Sequence, residues 1–307
     1  MITPRVCRRG FALGAVLWLL TVCTVLATAV ALRGRSAYEA TRNRANAERA
    51  YWIVEGCVAQ LREVLDTTLA SAPPNALATV WRTLDAAIAP SLASQPGCRA
   101  TLEAVGSRID VNTASDTLLR KYFSVTESSS AADALTDAII DWRDADDLPR
   151  PSGAESAWYT ANKRPVPRND SLASVQELTL VRGLEARPDL TAHLSVDPAR
   201  ICLTTAPAPV LAALPGFTVD AVNQMLTDRA NGVWIADLNA LRGRMNAVSS
   251  DSILAHFQEL SFITTVDPDG WILTVTASAG SPAISATTEV RLDRYASRLI
   301  VARRRTQ

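Results

Sequence analysis

From Phe11 to Leu32 no residue carries a formal charge. At about 1.5 Å per helical residue the run reaches about 30 Å, the hydrocarbon thickness of a bilayer, so this pattern predicts a membrane-spanning helix. Arg5, Arg8 and Arg9 stand immediately before it. The basic flank of a first span stays on the cytoplasmic side, which puts the rest of the chain on the far side. Beyond the span the helix is expected to continue as an amphipathic one. Residues 34–69 lack proline, are rich in Ala, Arg, Glu and Leu, and place Tyr51, Val54, Val58, Leu61 and Leu65 at three- and four-residue steps. Pro73-Pro74 ends that helix. A shorter amphipathic piece is expected over 77–88, then a loop over 90–97.

The middle of the chain contains an internal repeat. Ile109-Asp110-Val111-Asn112-Thr113-Ala114-Ser115, followed by Leu118 and Leu119, reads as a short strand running into a helix capped by Thr113 or Ser115. About ninety residues later the pattern returns as Ile201-Cys202-Leu203-Thr204-Thr205-Ala206-Pro207, followed by Val210 and Leu211. The second copy runs into Leu214-Pro215-Gly216-Phe217-Thr218, which resembles a helix-hairpin-helix. Ser174 and Glu177 form a capping box ahead of another short helix, and helices are expected over 218–230 and 235–241. The end of the chain changes period. Residues 260–266, the turn Asp267-Pro268-Asp269-Gly270, and the alternating 271–279, 284–292 and 297–303 read as an antiparallel meander. The class is therefore α+β.

The 307 residues are 48% hydrophobic, with 31 Lys and Arg against 31 Asp and Glu. With no basic excess the chain lacks the footprint of a nucleic-acid binder. The hairpin raises DNA binding all the same, but such hairpins read Gly-hydrophobic-Gly, and here Thr218 replaces the second Gly and Asp220 would repel a phosphate. His193 and His256 stand apart from other ligands in sequence, and Gly-x-Ser-x-Gly, P-loop and Cys-x-x-Cys elements are absent, so nothing names a reaction or a small-molecule substrate. Of five cysteines, Cys7 and Cys23 lie in the leader and span. In an oxidising compartment two of Cys57, Cys98 and Cys202 could pair, with Cys57 and Cys98 favoured because one helix and its return separate them; three buried thiols are the alternative.

The densest cluster of chemistry is the loop from Asp141 to Glu155. Asp141, Asp144, Asp146, Asp147 and Glu155 lie beside Leu148-Pro149. Hard oxygen ligands on a loop suit Ca²⁺. The spacing of Asp144, Asp146 and Glu155 is that of EF-hand positions one, three and twelve, although Leu148 and Pro149 rule out an EF-hand. A solvated acidic loop pinned by Arg143, Arg150 and Arg164 is the other reading, and the residues alone leave both open.

Two stretches carry a family resemblance. Arg9-Gly10-Phe11 ahead of the apolar helix resembles a type IV prepilin leader, in which a prepilin peptidase cuts after Gly10 and methylates Phe11. An ordinary signal peptide, cut near Thr28-Ala29-Val30-Ala31, is the alternative. Pilin-like proteins carry Glu as the fifth mature residue, and here that residue is Ala15. Asp141-Trp142-Arg143-Asp144-Ala145-Asp146-Asp147 with Pro149, Gly153-Ala154-Glu155 and Tyr159, together with Asn112-Thr113-Ala114, resembles the K-type minor pseudopilin of type II secretion (general secretion pathway protein K).

That resemblance implies a pilin-like α+β fold with a long N-terminal hydrophobic helix and an antiparallel sheet, interrupted by a large inserted all-helical domain. The expected division is a leader over 1–10, a span over 11–32, the first part of the core over 33–109, the insertion over 110–257 and C-terminal strands over 258–307. It also implies Ca²⁺ in the insertion, with Asp144, Asp146, Asp147 and Glu155 as ligands ahead of Asp141. The implied partners are H-, I- and J-type minor pseudopilins and the prepilin peptidase. The implied place is the bacterial inner membrane, single-pass, with the soluble part in the periplasm and assembly starting at the pseudopilus tip. A membrane-anchored, competence-type DNA-binding protein is the alternative.

Overall fold

The structure is a computed structural model that describes residues 11–94 and 97–306. Helix α1 (Phe11–Ser71) runs unbroken from the apolar stretch into the folded part. Its first half touches nothing, which fits a single-pass membrane anchor, while Ala50, Val54, Cys57, Val58, Leu61, Leu65 and Leu69 form one buried stripe. Tyr51, expected on that stripe, instead points outward and is 38% exposed, because it follows the buried Ala50 and so lies about 100° around the helix from it. Helices α2 (Leu77–Arg82) and α3 (Asp85–Ala93) fold back on α1. The loop expected from Pro90 starts late: Pro90 lies inside α3, and burial of Leu84 and Ile88 against α1 carries the helix past it.

Strand β1 (Cys98–Ala104) follows, and the chain leaves for the helical part: β2 (Ile109–Asp110), α4 (Asp116–Phe123), α5 (Ser129–Arg143) and α6 (Ser156–Ala161). After a 3₁₀ turn (Val175–Leu180) come α7 (Pro188–Thr191), β3 (Leu194–Ser195) and β4 (Ile201–Cys202). Helices α8 (Ala208–Ala213), α9 (Val219–Ala230), α10 (Leu238–Arg242), α11 (Ala247–Ala255) and α12 (Phe257–Ile263) lead to β5 (Thr264–Thr265). Strands β6 (Gly270–Ala279), β7 (Ile284–Tyr295) and β8 (Arg298–Thr306) close the chain.

The antiparallel sheet has the order β1-β6-β7-β8. Alternation puts Trp271, Leu273, Val275 and Ala277 of β6 and Val290 and Leu292 of β7 on the face covered by α1, and register sets Leu273 opposite both Leu102 and Val290. The α+β class with a long N-terminal helix and an antiparallel sheet is what the chain adopts. The strand expected over 260–266 is mostly α12. Leu260 is fully buried in the helical part, and Thr264–Thr265 pair in parallel with Ile201–Cys202 instead of with β6. The place beside β6 is taken by β1, in which Cys98, Ala100, Leu102 and Ala104 alternate with Arg99, Thr101 and Glu103.

A second buried cluster, from Ile109 to Leu260, fills the helical part, which contains only two short parallel pairs besides helices, β2 with β3 and β4 with β5. The repeat seen in the sequence is physical. Arg143 donates to the carbonyls of Val111 and Ala114, the latter at 2.7 Å. Arg229 donates to those of Leu203 and Ala206, the latter at 2.6 Å. Each copy thus pins its strand-to-helix turn with an arginine from its own second long helix. The two clusters meet at Gly106, whose φ of +86° and closeness to Arg200 O leave no room for a Cβ, and at Arg82, which holds Asp267 at 2.6 Å and Ile235 O at 3.1 Å.

Candidate functional site

Helix α5 is amphipathic, and its inner face buries two acids, Asp137 and Asp141, beside Ile140 and Trp142. The helix ends at Arg143 because Asp144 turns extended, and Pro149 and Pro151 keep the following segment from resuming it. The chain then doubles back so that Glu155, 2% exposed, faces Asp141, which is fully buried. One carboxylate oxygen from each of Asp141, Asp144 and Glu155 lies within 4.8 Å of the other two. The approach depends on Gly153: a Cβ there would overlap the Asp141 carboxylate.

The surroundings leave these charges uncompensated. Arg150 makes its ion pairs with Asp116 and, at 3.4 Å, Asp137, and Arg143 donates to the backbone carbonyls named above. Asp141 accepts the Arg150 backbone N–H at 3.1 Å. Both Glu155 carboxylate oxygens and Asp144 Oδ1 are buried without a hydrogen-bond partner in the protein. Burial, then the neighbouring Asp141 and Asp144 charges, pushes the Glu155 carboxyl up to about 7. Burial also raises Asp141 to about 6, and Asp144 is raised for the same reason. Buried carboxylates with free oxygens are a poor resting state unless protonated or joined by a cation.

The scaffold around them is stiff. Trp142 stacks edge-on to Tyr159 at 5.2 Å and donates Nε1–H to Glu177 at 3.1 Å, while Tyr159 Oη accepts from Arg182 N at 2.9 Å. Glu177 also accepts the N–H of Ala173, one residue before the N-cap, at 2.9 Å, and Ser174 makes no side-chain bond, so the expected capping box does not form.

Of the residues expected to bind metal, the structure brings together Asp144 and Glu155 and adds Asp141, which sequence spacing ranked behind them. Asp146 and Asp147 face outward and cap the loop: Asp146 Oδ1 accepts Leu148 N–H at 2.9 Å and Asp147 Oδ1 accepts Ser156 N–H at 3.2 Å. The signal that could have found Asp141 is its place one helical turn before Asp144 on α5. Gly153→Ala is expected to cost about 1–3 kcal/mol in stability, because Asp141 is too short and too buried to move aside. A urea melt measures this, and an unchanged midpoint would show that the Asp141 carboxylate is not held where the structure puts it. Of the processing pair, Gly10 lies outside the described residues, and Phe11 opens α1.

The hairpin between α8 and α9 has Thr218 as N-cap of α9, accepting Ala221 N–H at 3.1 Å, with Gly216 at φ +74°. It is not open to a phosphate. A Cβ on Gly216 would sit 2.5 Å from Ser252 O and 2.9 Å from His256 Nδ1 of the α11 C-terminus. Lys121, the nearby cation, donates to Leu214 O and, at 3.3 Å, to Phe217 O. The hairpin is a packing element, and DNA binding is not favoured.

Residues 102–195 match the family model described as "Type II secretion system (T2SS), protein K". Among solved structures the chain is similar to one in the crystal structure of the GspK-GspI-GspJ complex from the type 2 secretion system of enterotoxigenic Escherichia coli. The similarity has 16% identity and a TM-score of 0.60, and covers 87% of this chain and 99% of that one. No curated protein sequence matches. The family match spans the segment that contains the acidic loop, and the solved chain shares the fold.

Proposed function

We propose that the protein is a K-type minor pseudopilin that sits at the pseudopilus tip. There it initiates pseudopilus assembly with H-, I- and J-type minor pseudopilins, for export of folded periplasmic proteins across the outer membrane. The observation that carries this reading is α1, a single helix that is exposed over residues 13–41, apart from the half-buried Val22, and buried along one stripe against the sheet over its second half, in a chain whose residues 102–195 match protein K. A subunit anchored in the inner membrane by such a helix keeps its folded part in the periplasm. Ala15 supports the terminal place: a buried carboxylate there would need a neighbour's amine, and a subunit with no neighbour on that side does without both. The bulk of the inserted helical part, difficult to bury inside a packed filament, also suits an end.

In this reading the prepilin peptidase cuts after Gly10 and methylates Phe11. Ca²⁺ is held by Asp141, Asp144 and Glu155, with Asp146 and Asp147 organising the loop that carries them. The bound ion would supply the positive charge that the three carboxylates lack. Co-expression with a prepilin peptidase, followed by the mass of the mature N-terminal peptide, tests the class. The expected peptide begins at methylated Phe11, and a start after Ala29 or Ala31 would leave a secreted soluble protein and end the filament reading.

A further inference from the structure

The sheet half and the helical half are joined by little. No apolar residue belongs to both buried clusters. Among the described residues the chain passes between the halves only twice, outward over 105–108 and back over 266–269. What else holds them together is polar, and most of it comes from arginines of the sheet half. Arg82 donates to Ile235 O at 3.1 Å, Arg291 to Pro198 O at 3.0 Å and Arg305 to Ala173 O at 3.3 Å, and Arg303 pairs with Asp197. Arg200 answers from the helical half, pairing at 3.1 Å with Asp269 of the returning segment.

Two clefts undercut this joint from opposite sides. The first, of about 190 Å³, lies on the sheet face turned away from α1, with Thr101, Thr274 and Glu289 on one wall and Val175, Ser195 and Asp197 on the other. The second, of about 510 Å³, lies on the α1 side, with Arg82, Asp85 and Trp271 on one wall and His193, Thr205 and Pro207 on the other. Both are lined by Glu103, Ala104, Ser107 and Arg108, so the outgoing segment is a bridge with open space on either hand.

We propose that 104–108 and 266–269 form a hinge on which the helical half rocks, narrowing one cleft as the other widens, and that Arg303 and Arg305 of β8 are the latch that holds the present arrangement. Rocking leaves both buried clusters intact, so its cost is that of polar contacts, which water replaces. Strand β8 suits a latch because it is an edge of the sheet, and its pairing with β7 is irregular between Arg291 and Leu292, where Arg303 faces Arg291. The Arg303 and Asp197 side chains are 28% and 11% exposed and the Arg200 and Asp269 pair is open to solvent, so salt weakens the closed state. Such a hinge lets the helical half tilt while α1 and the sheet stay fixed. The inference does not rest on the minor-pseudopilin reading.

The test uses the full chain in detergent, with Cys7 and Cys23 replaced by Ser and spin labels at Ser278→Cys of β6 and Asp251→Cys of α11, both exposed positions. Ser278 lies roughly 27 Å along β6 from the joint at Gly270, which gives the pair a long lever arm. At low salt, dipolar spectroscopy is expected to give one narrow distance, and about 0.5 M NaCl is expected to bring in a second, broader population. Arg303→Ala combined with Arg305→Ala is expected to raise that population about tenfold at low salt, while Arg303→Lys, which keeps the charge, stays close to the wild type. One narrow distance in every variant at every salt concentration would overturn the hinge. Should the double variant unfold, the wild-type salt series decides alone: a broad population that grows at unchanged helicity supports the hinge, and a distance that stays narrow overturns it.

Discussion

In a chelator the melting temperature should rise as pH falls from about 8 to about 5.5, and saturating Ca²⁺ should flatten that trend. The sign follows from Glu155 and Asp141, whose folded carboxyls are raised to about 7 and about 6. Their ordinary values lie near 4, so over this window the folded state binds more protons than the unfolded chain, and stability falls as pH rises. The destabilisation is complete above about pH 7 and gone below about pH 4. At about 1.4 kcal/mol per unit each group accounts for on the order of 3 kcal/mol. A bound Ca²⁺ would need the ionised site, so its stabilisation should be largest where the ion-free protein is weakest. At one hundred times Kd it adds about 2.7 kcal/mol, or roughly 5–10 °C. Glu155→Gln should raise the ion-free melting temperature at pH 8 and abolish most of the Ca²⁺ effect. Calorimetry at two pH values, with and without Ca²⁺, decides it: a flat pH profile with no response to the ion would mean that the three carboxylates are neither strained apart nor bridged.

Which parts of this arrangement were legible in the sequence follows from how local each signal is. The span, the amphipathic continuation of α1 and strands β6 and β7 are periodic over many residues, and the cap at Ser115, one of the two residues offered for it, is local chemistry. All were readable. Strand β1 was passed over although Cys98, Ala100, Leu102 and Ala104 alternate with Arg99, Thr101 and Glu103, because its apolar positions are mostly small and its partner β6 lies more than one hundred and fifty residues away. Residues 260–266 misled for the converse reason. Their apolar run suits a strand or a buried helix equally, and only the pairing of Thr264–Thr265 with β4 decides. At the site, spacing picked out Asp144, Asp146 and Glu155, of which Asp144 and Glu155 converge with Asp141, while Asp146, like Asp147, serves a backbone N–H group.

The two repeats show why the acids cluster in one of them. In the second copy the loop after α9 is fixed by an internal ion pair: Arg244 grips Asp228 at 2.5 and 2.7 Å and holds its carboxyl below the ordinary range. In the first copy the loop after α5 is longer, and the nearby Arg150 pairs with Asp116 and Asp137 and not with Asp141, Asp144 or Glu155. One duplicated unit thus closes its loop with a side-chain cation, and the other leaves carboxylates suited to an external one.

Removing the disulfide between Cys57 of α1 and Cys98 of β1 should destabilise the sheet half of the protein without altering the acidic loop. The bridge spans 41 residues, for which loop-closure entropy gives a stabilisation of about 4 kcal/mol. Its position adds a second effect. β1 is an edge strand that leads directly through Gly106 into the helical part, so the bridge ties the sheet's edge, and the entry to the insertion, to the anchoring helix. Cys57→Ala with Cys98→Ala is expected to lower the melting temperature of the sheet half by about 10 °C. Reduced wild type should match it within about 1 kcal/mol, which separates the covalent link from the loss of two buried sulfurs. Amide exchange should quicken first in β1, whose free edge then has less to hold it. Ca²⁺ affinity should not move, because the bridge and the carboxylates belong to different buried clusters and distant sites add independently. A coupled loss of both would mean that the two clusters unfold as one, and an unchanged midpoint on reduction would mean that α1 and β1 hold together without the bond.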